Sequence, residues 1–443
     1  MSNKLSDIVN FNPSRILKKG TVAPFIEMAS LPTNTKFIKQ IDEKPFSGGS
    51  KFKNGDTLFA RITPCLENGK TGKVTNLKDE IIGHGSTEFI VMSAKEPEFD
   101  EDYIYYFARL PEFREFAQQR MVGTSGRQRV AWQDLADFEF IFPPKEQRKK
   151  AAALLNIYDQ KIDLNTQINQ TLEQIAQALF KSWFVDFDPV RAKVQALSDG
   201  LSLEQAELAA IQAISGKTPE ELTALSQTQP DRYAELAKTA KAFPCEMVEV
   251  DGVEVPKGWK IGTFTDITES RREKVKNDKA TVLSAVSSGE LVKSEEYFTK
   301  QVFSKSIDKY LKVYQWDFAY NPARINIGSI GLHEADYLGA VSPVYEVFSV
   351  SDKYHWFLKR ILNLETTKIK IQSLCTGSVR QTLKLKDFQS IDCVIPDEKT
   401  LSIFNKKWEE YRTLILENNE NTQTLSEIRD LLLPRLLSGD FNG

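Results

Sequence analysis

The residues best suited to chemistry sit in short, donor-rich loops. Gly123-Thr124-Ser125-Gly126-Arg127-Gln128-Arg129 packs two glycines, two hydroxyls and three long donors into seven positions, just ahead of a strand-like run. Glycine lets a backbone come close to a phosphate, hydroxyls and backbone N–H groups bond it, and Arg or Gln can reach a base edge with paired hydrogen bonds. Arg61-Ile62-Thr63-Pro64 followed by Asn68-Gly69-Lys70 makes a second loop of this kind. Such patterns suit contact with nucleic acid. A plainer reading stands beside it, in which Arg127 and Arg380 pair with Asp134 and Asp387 and merely brace the turn.

Patterns for bond-making chemistry are sparse. The string closest to an Asn/Asp-Pro-Pro-aromatic methyltransferase motif is Asn321-Pro322-Ala323-Arg324, which lacks both the second proline and the stacking ring. No G-x-G-x-x-G follows a strand and no G-x-x-x-x-G-K-[ST] is present, so nucleotide binding at such loops is unsupported. The four cysteines, Cys65, Cys245, Cys375 and Cys393, have neither zinc-site spacing nor a disulfide framework. His84, in Gly83-His84-Gly85-Ser86, reads as a loop histidine near a ligand surface rather than a base, and Asp186-Phe187-Asp188-Pro189 as a helix terminator. Neither a metal site nor a catalytic residue is expected.

These loops belong to a repeat. At a constant offset of 253 residues Ser125 meets Ser378, Arg127 meets Arg380, Gln128 meets Gln381 and Asp134 meets Asp387. The register continues without a gap through two helical segments, where Tyr158 falls on Tyr411, Ile162 on Ile415, Asn165 on Asn418 and Leu172 on Leu425. A looser match sets Ala60–Pro64 against Asn321–Gly328, and Ser86-Thr87-Glu88-Phe89 against Ser342-Pro343-Val344-Tyr345. The candidate contact residues are therefore Arg61, Thr63, Asn68, Lys70, Ser86, Thr87, Thr124, Ser125, Arg127, Gln128 and Arg129 in the first copy. In the second they are Arg324, Asn326, Ser329, Ser378, Arg380 and Gln381.

The elements that must hold these loops are two mixed α+β halves, 1–143 and 256–396, and two helical segments, 144–187 and 397–443. Phe59–Ile62, Glu88–Met92, Phe138–Phe142 and Asp392–Ile395 read as strands, Tyr103–Gln119 and Tyr354–Asn363 as helices. Leu155, Tyr158, Ile162, Asn165, Asn169, Leu172 and Leu179 recur at alternating spacings of three and four, as do Trp408, Tyr411, Ile415, Asn418, Leu425 and Leu432. So narrow a seam suits pairing with one other helix, and an Asn within it fixes register; the alternative is that each helix caps its own half. Segment 188–255 is an acidic helical linker with capping boxes at Ser202–Gln205 and Thr218–Glu221.

Length and composition agree with this division. The chain has 443 residues, 41% hydrophobic and 27% charged, with a net charge of −3. Collagen-like and wholly disordered classes are excluded. Residues 182–255 carry six Lys and Arg against thirteen Asp and Glu, a net −7, which leaves +4 on the remainder and keeps a polyanionic partner open. No run approaches the ~20 apolar residues of a membrane helix, and the first residues resemble no signal peptide, so a cytoplasmic chain with no membrane partner is expected.

The set of motifs resembles the specificity subunit of type I restriction-modification systems over essentially the whole chain. The matching strings are Phe-Ala-Arg-Ile-Thr-Pro-Cys-Leu-Glu-Asn-Gly-Lys (59–70), Gly-Thr-Ser-Gly-Arg-Gln-Arg-Val (123–130), Phe-Pro-Pro-Lys-Glu-Gln-Arg (142–148), Leu-Phe-Lys-Ser-Trp-Phe-Val-Asp-Phe-Asp-Pro-Val (179–190) and Leu-Leu-Leu-Pro-Arg-Leu-Leu-Ser-Gly (431–439). The second copy departs at Val379 and Thr382. The resemblance implies two target-recognition domains (1–143 and 256–396) that read a bipartite double-stranded DNA target. Two spacer helices would form an antiparallel coiled coil, giving a pseudo-two-fold repeat. The implied partners are two modification subunits, which bring S-adenosylmethionine, and restriction subunits that translocate and cleave. The chain itself would be non-catalytic and hold no cofactor. A self-contained methyltransferase or nuclease with an unfamiliar site, and a purely protein-binding scaffold, are the competing readings.

Overall fold

A computed structural model describes residues 3–78, 80–124, 126–298, 300–377 and 381–440. By contact density the chain divides into two units, one of Met1–Thr171 with Leu414–Gly443 and one of Leu172–Thr413. Each unit contains one mixed half and a stretch of both long helices, Lys145–Phe184 and Glu398–Leu437.

In the first unit, strands Val9–Phe11, Phe89–Ala94, Thr57–Ala60 and Thr71–Lys73 lie side by side in that order, all antiparallel. A second sheet runs Asp42–Pro45, Val22–Ile26, Gly83–Gly85, Ser50–Phe52, with its central pair parallel. Thr57–Ala60 is buried at every position, because side chains alternate across a strand and both faces of this one are covered. Phe59 joins a cluster with Tyr103, Phe107 and Phe113, whereas Leu58 and Ala60 join one with Ile26, Phe52 and Val91.

The second unit repeats the layout strand for strand. Thr268–Ser270, Glu346–Val350, Phe318–Tyr320 and Ile330–Leu332 form one sheet, and Leu291–Lys293, Thr281–Ala285, Gly339–Val341 and Leu311–Val313 the other, again with its central pair parallel. In both units a short pair, Asn3–Lys4 with Glu139–Phe140 or Lys260–Thr263 with Asp392–Ile395, ties the start of the half to its end. The offset between equivalent strands falls from 261 at Thr57/Phe318 to 253 at Glu139/Asp392. The first half therefore has a few more loop residues, which is why its sequence match to the second loosens upstream.

Some elements differ from expectation. The helix expected over 103–119 is two, Pro97–Phe107 and Pro111–Gln119. Pro111 lacks an N–H and takes the first helical position, with Leu110 extended before it. The strand expected over 138–142 pairs only at Glu139–Phe140, and its rings instead pack together, Phe107–Phe140 at 5.1 Å and Phe116–Phe138 at 4.7 Å. The linker forms four helices, Asp188–Ser198, Leu203–Ser215, Pro219–Thr228 and Pro230–Ala242, then a hairpin that was not anticipated, Met247–Val250 with Val253–Pro256. Both capping boxes form.

The long helices pair antiparallel. In the first unit Asn169 Nδ2 donates to Asn419 Oδ1 and Asn418 Nδ2 to Asn169 Oδ1, each at 2.9 Å, while the buried Asn165 faces Asn418 and Thr422. Nearer the globular half the same helices cap it instead. Ala151, Leu155, Leu433, Leu436 and Leu437 share the Tyr103 cluster, so pairing and capping occupy different stretches of one helix. Between these stretches lies a buried network: Arg429 Nη1 meets Asp159 Oδ1 at 2.5 Å, and Tyr106 Oη donates to Asp159 Oδ2 at 2.7 Å. Despite burial, Asp159 and Asp430 hold the Arg429 guanidinium above its ordinary pKa. In the second unit the pairing is aromatic, with Phe180–Phe404 at 5.6 Å and Trp183–Phe404 at 6.1 Å.

Removing one partner of a buried pair strands the other charge, at a cost of about 3–5 kcal/mol. Asp159→Ala is expected to lower the unfolding free energy by about that amount, read as a lower midpoint in denaturant titration. The apolar pair Asp159→Leu with Arg429→Met should recover most of it. An unchanged midpoint for Asp159→Ala would contradict the network.

Candidate nucleic-acid interface

In the first unit three loops converge where the central strand Thr57–Ala60 ends. Arg61 N–H donates to Glu88 O and Val130 N–H to Arg61 O, both at 3.0 Å, so residues 61–70, 86–88 and 122–130 are stitched through Arg61. Thr63 completes the join: its N–H donates to Gln128 O at 3.1 Å and its Oγ1 accepts from Gln128 N–H at 3.0 Å. Thr63 is buried, so its role is to position Gln128. Within 61–70 the chain makes a helical turn, Leu66 N–H to Ile62 O and Asn68 N–H to Pro64 O, both at 2.9 Å. Gly69 closes that turn at φ +74°, where a Cβ would meet the Arg114 guanidinium, whose Nη2 donates to Gly69 O at 2.6 Å. Burial and the neighbouring Arg109 push Arg114 down to about 10.

The arginines of the 122–130 loop divide the work. Arg129 grips Glu88 through Nε at 2.9 and 3.0 Å and Nη2 at 2.7 Å, and this bond holds its guanidinium above the ordinary value. Arg127 is exposed and, among the described residues, its side chain has no hydrogen-bond or ion-pair partner; the Arg127–Asp134 brace does not form. Arg127 N–H bonds Thr124 O at 3.0 Å, making the turn that presents both residues. Gly123 sits at φ +138°, and a Cβ there would lie 2.9 Å from Arg127 O. Asn68, Thr87 and Thr124 are exposed, Arg61 and Gln128 half-buried. Ser86 Oγ accepts from Glu88 N–H at 3.1 Å, and Lys70 Nζ is engaged by Met28 O at 2.7 Å and Ala29 O at 3.2 Å.

The second unit assembles its loops in the same way. Leu383, the counterpart of Val130, donates its N–H to Pro322 O at 3.1 Å, and Thr376 and Thr382 exchange bonds of 3.0 and 2.8 Å as Val122 and Arg129 do at 3.0 Å. Tyr320 Oη supports the join from below by donating to Leu383 O at 3.1 Å. Asn326 Nδ2 donates to Gln381 Oε1 at 3.2 Å, bringing those two predicted residues together, and Arg324 is exposed. Ser329 is fully buried and cannot face a ligand as expected. Ser125, Ser378 and Arg380 lie outside the described residues.

Sequence reasoning missed Glu88, Arg114, Tyr320 and Gln372, whose Nε2 donates to Asn326 O at 3.3 Å. Only Glu88 carried a signal, by adjoining Ser86-Thr87. It also missed the exposed apolar neighbours of the donors, Val122 at 78% and Val344 at 67% exposure. His84 is not a loop residue: it is buried in strand Gly83–Gly85, with Nε2 3.0 Å from Lys44 O and its ring between Phe25 and Phe46. Where a terminator was read, the first long helix ends at Phe184 and Phe187, at φ +59°, caps the start of the next helix, Asp188–Ser198. Among the described residues no group of three His, Cys, Asp or Glu could hold a metal, and no helix is long and apolar enough to cross a membrane.

Comparison with known proteins bears on this arrangement. Residues 2–174 match the family model for the type I restriction modification DNA specificity domain. The HindI specificity subunit of Haemophilus influenzae is 38% identical over 439 residues, covering 92% of each chain. The MjaIX specificity subunit of Methanocaldococcus jannaschii is 24% identical over 342 residues, covering 77% of this chain and 69% of that one. The crystal structure of the type I restriction-modification S subunit from M. genitalium aligns over 99% of this chain and 96% of its own, with a TM-score of 0.50 at 12% identity, and so shares the fold. A strand-for-strand repeat with two long paired helices and close identity over nearly the whole length lead to one assignment: the chain belongs to the family of type I restriction enzyme specificity subunits.

Proposed function

We propose that this chain is the non-catalytic DNA-reading subunit of a type I complex, with one reading domain in 1–143 and another in 256–396, joined by the spacer helices and the linker 188–255. The observation that carries this is the same loop cluster built twice on one topology, with different side chains at its surface. Braced residues set the loops: Thr63, Glu88 with Arg129, and Arg114. Free or half-buried donors meet the duplex: Arg61, Asn68, Thr87, Thr124, Arg127 and Gln128 in one domain, Arg324, Asn326 and Gln381 in the other. Arginine suits the guanine edge and the amides the adenine edge, while Val122 and Val344 suit a thymine methyl.

The partners in this reading are double-stranded DNA, two modification subunits that supply S-adenosylmethionine and the methyl transfer, and restriction subunits that translocate and cleave. Exposed apolar residues on the long helices, among them Ile157 at 62% and Leu431 at 74%, support docking of other subunits there.

Arg127→Ala is expected to weaken binding of the cognate duplex by the complex of this chain with its modification subunit by about 1–3 kcal/mol and to relax one base position. Arg129→Ala should loosen the whole 122–130 loop and cost discrimination at several positions. Binding that is insensitive to both substitutions and to salt would exclude the first domain from reading. Turnover of DNA by the chain without partners, given magnesium and S-adenosylmethionine, would favour a self-contained enzyme instead.

The spacer helices act as a ruler in this proposal. One added turn in both lengthens them by ~5.4 Å, about one to two base pairs at ~3.4 Å rise. Footprinting on a spacing series should show a longer preferred gap between unchanged half-sites; altered half-sites with an unchanged gap would rule the ruler out.

A further inference from the structure

The cations of the linker are not distributed as its overall acidity suggests. Of its six Lys and Arg, three are engaged locally: Arg191 with Glu254 at 2.9 Å, Lys193 with Phe243 O at 2.8 Å, and Lys241 with Glu207 at 3.8 Å. The other three, Lys217, Arg232 and Lys238, all line one cavity of about 580 Å³ in the second unit. Lys406 and Lys407 of the helix Glu398–Leu437 line it too, which makes five cations against a single acid, Glu235, although the linker has twelve Asp and Glu.

Among the described residues none of the five forms an ion pair. Arg232 Nη1 reaches only the amide of Gln229 at 3.3 Å, and Lys407 Nζ lies 5.9 Å from the centre of the Tyr411 ring. Ile175, Leu179, Trp183, Leu236 and Ile403 add apolar surface to the lining. Trp183 is buried and its indole Nε1 has no acceptor among the described residues. Uncompensated like charges around a partly apolar hollow repel one another, and an anion bound among them removes that cost. A volume in the range of ~300–1,000 Å³ suits a small organic molecule.

We propose that this cavity binds a small organic polyanion with a planar or apolar body, held by the lysines and Arg232 at its rim and by the Trp183–Leu236 interior. The site lies apart from the loop cluster of either reading domain in sequence and in lining residues, so it stands whether or not the reading role does.

The test is isothermal titration of the full-length chain with adenosine triphosphate as the probe. Inorganic triphosphate serves as the charge without the body, and adenosine as the body without the charge. Saturable binding of adenosine triphosphate at one site is expected, with each fragment weaker by about ten-fold or more. Lys406→Glu with Lys407→Glu should weaken the probe about ten-fold or more, and Leu236→Trp, which fills the hollow, should do the same; Arg127→Ala should leave it unchanged. Circular dichroism melting confirms that each variant is folded. No saturable binding, inorganic triphosphate binding as tightly as the nucleotide, or loss through Arg127→Ala but not through the cavity variants would overturn the proposal.

Discussion

The antiparallel pairing of Lys145–Phe184 with Glu398–Leu437 is the constraint on which everything else rests, since both units are built around stretches of these two helices. Its middle is polar. Asn165, Asn169 and Asn418 meet across the seam, and Asp159 and Arg429 pair where the seam gives way to the core of the first half. Buried amides and ions contribute less to stability than apolar packing of equal volume would, but they tolerate few alternative registers. A one-turn slip would part Arg429 from Asp159 and break the Asn169–Asn418 and Asn169–Asn419 hydrogen bonds. Register selection of this kind matters in a chain whose two helices are themselves copies of one sequence.

The loop clusters show a complementary division between residues that position and residues that present. Arg129 and Glu88 neutralise each other and fix a loop, leaving Arg127 two positions away with its charge unspent. Side chains pinned by backbone bonds lose their rotamer freedom during folding, so a ligand meets a prearranged surface. In the second unit the bonds from Leu383 to Pro322 and between Thr376 and Thr382 preserve the scaffold while the presented residues change. A duplicated fold thus keeps its framework in the strands and its variation in the loop tips.

Much of this was legible in the sequence, for reasons that can be named. The ungapped offset of 253 identified the duplicated helices, and the spaced Asn and apolar residues their pairing. Ser202–Gln205 and Thr218–Glu221 capped helices because a cap depends on local chemistry alone. The individual roles of loop residues were not legible. Thr63 and Arg127 both belong to donor-rich strings, yet one is buried and the other exposed, because the chain's path through a turn decides which way each points. His84 looked like a loop residue because flanking glycines signal turns, whereas here they allow close packing: a Cβ at Gly83 would lie 2.4 Å from the Phe52 ring. The strand-for-strand identity of the two halves was also hidden, since small loop length differences shift the offset from 261 to 253.

A duplicated reader built on paired helices should write its structure into the DNA it marks. The most direct measurement is base-resolution methylation sequencing of DNA from cells expressing this chain together with its modification and restriction partners. The account predicts methylation within a split motif, two short blocks of specified bases separated by a gap of constant length and free sequence. A single uninterrupted motif, or two blocks whose separation varies from site to site, would contradict it.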